Sequence, residues 1–152
     1  MKKIFLYVFL VLLWCNTSFA DFNGLAGVKE FQLSVRISEG DSCGVTKYKL
    51  ENSLRYILSN SKIKLVEQSP SLLNLNVTIL SDEVGCFGHS DLSALEWRQT
   101  KNIAQNDIVA PLLLWQDGRF RKGPPDSFEM KFTNTVENIA KAFVVDWSKV
   151  NQ

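Results

Sequence analysis

The sequence is poor in histidine, cysteine and excess charge, and each scarcity narrows the possible functions. It contains one histidine and three cysteines among 152 residues. Any histidine-based catalytic site must therefore use His89, and a complete set of four zinc ligands is not visible. The net charge is only +1, whereas nucleic-acid-binding domains normally carry a strong positive excess. We therefore expect no nucleic-acid partner.

The apolar run at the amino terminus is short. Residues 1–20, MKKIFLYVFLVLLWCNTSFA, combine a basic start, an apolar run from Ile4 to Trp14, and small residues at Ser18 and Ala20. This pattern is typical of a secretory signal peptide cleaved after Ala20. The run is shorter than the roughly 20 residues that a membrane-spanning helix requires. The alternative, an amino-terminal membrane anchor, fits the cleavage pattern less well.

Cleavage after Ala20 predicts a periplasmic or secreted protein with no remaining transmembrane segment. Cys15 follows Trp14 rather than the small residue that a lipoprotein signal requires, so we expect no lipid anchor. Loss of Lys2 and Lys3 changes the net charge from +1 to −1. Residues 21–152 have the length of one domain.

Hydrophobic periodicity predicts a single α/β (α+β) domain. Phe31, Leu33, Val35 and Ile37 alternate with polar residues, as in a half-buried strand. Similar patterns predict strands over residues 63–68, 72–80, 91–101 and 107–118, and helices over residues 46–60 and 127–150. The expected fold is a two-layer sandwich, with a four- or five-stranded, mostly antiparallel sheet, two helices on one face, and the order β-α-β-β-β-β-α.

Three segments are predicted to be loops or turns. The stretch SDEVGCFGHSD, residues 81–91, contains two glycines and follows a strand. Asp117–Gly118 is a typical turn pair, and RFRKGPPD, residues 119–126, ends in two prolines before a helix.

Cys86 in the first of these segments admits more than one interpretation. In an oxidising compartment, two cysteines in one domain most often pair. A Cys43–Cys86 disulfide would stabilise the fold by about 4 kcal/mol in the chain-entropy model. The alternative is a small-ligand or metal site, with Cys86 and His89 in C-x-x-H spacing as zinc or copper ligands. Adjacent His89, Ser90 and Asp91 also contain the residue types of a hydrolase triad, although neighbouring side chains point in different directions.

The RFRK segment is a possible contact surface. Arg119, Arg121 and Lys122 surround Phe120, a combination that can contact phosphates while the ring stacks or inserts. Short charge runs are more commonly the solvated rim of a turn.

The chain resembles a group of small exported bacterial envelope proteins. The element order, the exported setting and the segment SPSLLNLNVTIL are similar to the amino-terminal domain of the Tol-system translocation protein and to the lipopolysaccharide-assembly lipoproteins. The ending FVVDWSKVNQ resembles the tail of exported bacterial proteins of uncharacterised function. The resemblance implies a binding or assembly role in the envelope and no catalysis. We expect no cofactor. We therefore predict a non-catalytic domain that binds another envelope protein or assembly component. A secreted effector or inhibitor shares the same sequence features.

Overall fold

The computed structural model describes residues 24–38 and 43–152. The predicted signal peptide, residues 1–20, lies outside the described residues. The elements along the chain are β1 (Glu30–Ser38), α1 (Lys47–Ser59), β2 (Lys64–Leu65), β3 (Ser71–Asp82), β4 (Gly85–Lys101), β5 (Asp107–Gly123) and α2 (Pro125–Val150). None of the helices in these two ranges has the length and apolarity needed to cross a lipid bilayer.

The five strands form one mixed sheet in the order β2-β1-β3-β4-β5. β1 pairs in parallel with β2 and β3, whereas β3–β4 and β4–β5 are long antiparallel pairs. Helix α1 connects β1 to β2, and this crossover leaves β1 inside the sheet with β2 at one edge. The predicted fold class and element order are confirmed.

Both helices cover the same face of the sheet. Helix α1 begins after Thr46, whose Oγ1 accepts a hydrogen bond from the Lys49 backbone N–H at 3.4 Å. Its apolar stripe, Leu50, Leu54 and Leu58, is fully buried. The longer helix α2 buries the residues Phe128, Phe132, Val136, Ile139, Ala140, Phe143 and Trp147.

Aromatic side chains close the core between α2 and the sheet. The ring of Phe143 makes edge contacts with Phe31 on β1 and Trp115 on β5, with centroid distances of 5.6 and 5.2 Å. Trp147 Nε1 donates a hydrogen bond to the carbonyl oxygen of Val28 at 2.6 Å. These contacts hold α2 against β1, β5 and the segment that precedes β1.

All three predicted irregular segments lie largely in strands, and the predictions were wrong there. Residues 81–91 contain only a tight turn between Asp82 and Gly85, after which β4 runs without interruption to Lys101. Asp82 Oδ1 accepts hydrogen bonds from the backbone N–H groups of Val84 and Gly85 at 2.8 and 3.0 Å. These two hydrogen bonds stabilise a tight turn, so the longer loop predicted from the glycines does not form.

Strand β5 likewise continues beyond the predicted turn at Asp117–Gly118. It ends at Gly123, so the RFRK segment belongs to a strand instead of a loop. The pairing with β4 extends from Asp107 to Gly123 with one register shift, between Ala94 and Leu95, and it outweighs the local turn preference of Asp and Gly.

Candidate functional site

Cys86 has a structural role. It forms a disulfide with Cys43, with Cα atoms 6.0 Å apart. Both cysteines are almost completely buried, at 0% and 2% exposure. The bond ties the segment before α1 to the first residues of β4, at the end of the sheet where β3 turns into β4.

The structure does not bring Cys86 and His89 together. Cys86 faces the helices, whereas His89 is three residues further along the same strand and is exposed on the opposite face. Within residues 24–38 and 43–152, no cluster of three or more His, Cys, Asp or Glu side chains is placed to hold a metal ion.

His89, Ser90 and Asp91 do not form a catalytic set either. Ser90 is fully buried on the helix side of β4, and its hydroxyl donates to the carbonyl oxygen of Arg119 at 3.4 Å. His89 and Asp91 lie on the other face of the sheet. The nucleophile and the base are therefore separated by the sheet itself.

The face of the sheet turned away from the helices, here called the outer face, is uncovered by any other described element. Its centre is polar, because Asn74, Asn76, Asp91, Ser93 and Gln116 lie side by side on β3, β4 and β5. Gln116 Nε2 donates to Asp91 Oδ2 at 2.5 Å. Apolar side chains flank this centre, with Leu80, Phe87 and Phe120 towards one end and Leu72, Leu95, Trp97 and Leu113 towards the other.

Strand β5 is an edge strand, and its free side can be assigned from the hydrogen bonds of β4. The Trp97 N–H donates to the carbonyl oxygen of Pro70 at 2.9 Å, so Trp97 points its backbone polar groups towards β3. Alternate residues of an antiparallel strand direct these groups to opposite sides. A residue of β4 whose backbone N–H and C=O point to β3 therefore lies opposite a residue of β5 whose backbone N–H and C=O point away from the sheet.

The register then identifies four outward residues in the second half of β5: Gln116, Gly118, Phe120 and Lys122, which lie opposite Ser93, Asp91, His89 and Phe87. Their N–H and C=O groups repeat about every 6.8 Å along the edge. No described strand pairs with this side of β5. We call the segment from Gln116 to Lys122 the free edge.

The predicted contact residues Arg119, Phe120, Arg121 and Lys122 all lie on the free edge. Arg119 Nη2 contacts Asp117 Oδ2 at 3.0 Å, and Lys122 Nζ lies 4.9 Å from the centre of the Phe87 ring. Phe120 is 64% exposed and stands beside His89 on the outer face. The sequence identified these four residues as a loop surface. It did not identify Gln116 and Gly118, because only the strand register shows that their backbones point outwards.

Asp91 and His89 crowd the outer side of Gly118. A Cβ atom at this position would lie 3.3 Å from Asp91 Oδ2 and 3.4 Å from His89 Nε2. The site therefore leaves little room for a side chain larger than that of glycine, and the two polar side chains lie beside Phe120 at the middle of the free edge.

The first half of β5 has a different character. Together with the end of β4 it extends beyond β3, whose pairing with β4 stops at Ser71 and Glu96. Trp97, which is 49% exposed, lies opposite Pro111 on this hairpin. Because Trp97 points its backbone towards β3, Pro111 faces outwards and interrupts that part of the edge, where it supplies no N–H donor.

On the helix side, Trp115 links β5 to α2. Its Nε1 donates a hydrogen bond to Asp146 Oδ2 at 3.0 Å. Hydrogen bonds from Lys149 and Trp115 lower the pKa of Asp146 below its usual value. This carboxylate belongs to the packing between sheet and helix and lies on the face opposite the outer one.

No family model and no curated protein matches the chain. Among solved structures it is similar to a minor lipoprotein from Acinetobacter baumannii, with 14% identity, a TM-score of 0.32, and coverage of 82% of this chain and 93% of that chain. It is also similar to the rare lipoprotein B from Shewanella oneidensis, with 14% identity, a TM-score of 0.30, and coverage of 78% and 91%. Both of these proteins are named as lipoproteins.

Proposed function

We propose that the protein is a non-catalytic, exported binding domain of the bacterial envelope. It binds a protein partner by adding an extended segment of that partner to the free edge of β5. The outer face beside the edge, including Phe120, supplies additional contacts.

The main support for this proposal is the unpaired edge of β5. Four residues of this edge direct their N–H and C=O groups away from the sheet, and none of them is proline: Gln116, Gly118, Phe120 and Lys122. Main-chain hydrogen bonds along such an edge supply affinity for an extended peptide, and pockets for alternate side chains supply specificity. An exposed edge also pairs with unrelated chains unless something limits it, and charged residues are a common device. In this protein the charged residues Arg119, Arg121 and Lys122 lie in the same segment as the outward amides.

The disulfide supports export. Structural disulfides are typical of extracytoplasmic compartments, and Cys43 and Cys86 are joined and buried. The predicted signal peptide, residues 1–20, gives the same compartment from an independent part of the chain. A non-catalytic role is supported by the separation of Ser90 from His89 and Asp91 across the sheet.

Site-specific photocrosslinking tests the proposal. A photoreactive amino acid at Gln116, on the free edge, is compared with one at Tyr56, which is exposed on helix α1. In an envelope extract, we expect a discrete protein adduct from position 116 and none of the same mass from position 56. Excess unlabelled wild-type protein should compete for this adduct.

A matched pair of competitors makes the test specific to strand addition. Phe120→Ala and Phe120→Pro both remove the ring, but only the proline removes the outward N–H. We expect Phe120→Ala to compete better than Phe120→Pro. Equal competition by the two variants, or the same adduct from both crosslinker positions, would contradict binding through the edge backbone.

A further inference from the structure

Taking the proposed edge binding as its basis, we infer that the partner segment is an acidic β-strand. It places carboxylates at two alternate positions, beside Arg119 and Arg121, and an apolar side chain between them, beside Phe120.

The alternation of side chains along an added strand determines which partner residues meet which residues of β5. Arg119 and Arg121 lie opposite Ser90 and Gly88, on the helix side of the sheet, whereas Phe120 lies opposite His89 on the outer face. A segment added to the free edge continues this alternation. Two of its side chains therefore stand beside the arginines on the helix side, and the residue between them stands on the outer face.

The charge of the edge favours carboxylates. Arg119 forms an ion pair with Asp117 at 3.0 Å, but its side chain is 41% exposed and can contact a second carboxylate. In the described part of the chain neither Arg121 nor Lys122 forms an ion pair. The nearby Asp91 is occupied by Gln116 Nε2. The edge therefore presents an excess of positive charge. Opposite charges on neighbouring strands stabilise pairing and like charges oppose it, which disfavours basic segments.

The exposed ring of Phe120 favours an apolar residue at the intervening position. The Phe120 side chain is 64% exposed on the outer face, and the preceding outward residue, Gly118, has no side chain that could cover it. A β-branched or aromatic side chain of the added strand can pack against the ring. Such cross-strand pairs each contribute about 0.2–1 kcal/mol.

The difference between the two halves of β5 restricts the partner segment to the free edge. The first half carries the outward Pro111, which lacks a donor, and residues 108–116 contain no charged side chain. Of the two halves of β5, only residues 116–122 combine an unbroken row of outward amides with cations. An acidic strand therefore gains both main-chain and ionic pairing in this half alone.

Synthetic peptides test the inference. The first alternates glutamate with valine, and two matched peptides carry glutamine or lysine in place of glutamate. Binding is measured by fluorescence anisotropy, and protection of the Phe120 amide by hydrogen exchange. We expect the glutamate peptide to bind about tenfold more tightly than the glutamine peptide, an advantage that shrinks with added salt, and the lysine peptide not to bind.

Charge-reversal variants locate the effect. Arg121→Glu should weaken binding of the glutamate peptide about fivefold or more. Lys62→Glu introduces the same charge change at an exposed site after α1 and should leave binding unchanged. Equal weakening by both variants would show general electrostatic attraction and overturn the inference.

The outcomes separate the acidic preference from edge binding itself. If the glutamine peptide binds as tightly as the glutamate peptide and both protect the Phe120 amide, the acidic preference is wrong and edge binding stands. If the glutamate peptide binds without protecting that amide, or if no peptide protects it, both the preference and the strand-addition proposal are contradicted.

Discussion

Removal of the disulfide should cost the fold much of its stability. The perturbation is the double substitution of Cys43 and Cys86 by alanine in a protein that starts at Asp21. The two cysteines are 43 residues apart, and cross-linking a loop of this length restricts the unfolded chain considerably. Both side chains are buried, so the truncation also removes a small amount of core packing.

The expected loss follows from the length of the closed loop. The chain-entropy relation gives about 4 kcal/mol for a 43-residue separation, and the two lost sulfur atoms add a smaller packing term. Since the free energy of unfolding of a domain is typically about 5–15 kcal/mol, the double variant should be marginal.

Urea unfolding at equilibrium measures this loss. The wild-type protein is compared with the double variant, with and without a thiol reductant under conditions that reduce the native bond. Reductant should lower the stability of the wild-type protein to near that of the variant and leave the variant unchanged. A loss below about 1 kcal/mol, or two free thiols in the purified wild-type protein, would refute the reasoning.

Two further predictions concern contacts of α2 with the sheet. Gly88→Ala should destabilise the protein by about 1–3 kcal/mol, measured by urea unfolding, because the added Cβ overlaps the ring of Phe132; an unchanged unfolding midpoint would show that the helix shifts freely. The lowered pKa of Asp146, due to hydrogen bonds from Lys149 and Trp115, means that its ionised form stabilises the fold above its unfolded pKa and that this contribution disappears as pH falls through the lower folded pKa. The stability difference between the wild-type protein and Asp146→Asn should therefore shrink on acidification, and a difference that grows in acid would contradict this assignment.

Much of the fold could be predicted because its hydrophobic patterns are strong and local. The alternation in β1 and β3 and the leucine stripe of α1 each place a complete apolar face against the core. The Cys43–Cys86 pairing followed from the predicted compartment and from the count of two cysteines after Ala20. These features do not depend on knowing which strands are neighbours.

The errors lie where distant packing overrides local preference. Gly88 suggested a loop, but the glycine sits inside β4 because a Cβ there would lie 2.8 Å from Phe128 Cζ and overlap Phe132 of α2. Gly118 likewise suggested a turn, although it lies in the middle of β5 opposite Asp91. At both positions the glycine leaves room for side chains that pack close to the strand. Those side chains come from other parts of the fold, so the local sequence pattern does not reveal them.

The candidate site could be predicted only in part for the same reason. The RFRK segment was identified as a possible contact from its composition. Its value as a binding edge depends on the strand order, which places β5 at the margin of the sheet, and on the register, which turns the Phe120 and Lys122 amides outwards. Both are properties of long-range pairing.

Hydrogen exchange of the β5 amides tests the central claim most directly. In the free protein, the amides of Gly118, Phe120 and Lys122 should exchange rapidly, whereas those of Arg119 and Arg121, which face β4, should be protected. On addition of the alternating glutamate peptide, the first three should become protected and the other two should change little. Rapid exchange of the first three in the presence of saturating peptide, or their strong protection in the free monomer, would contradict the account.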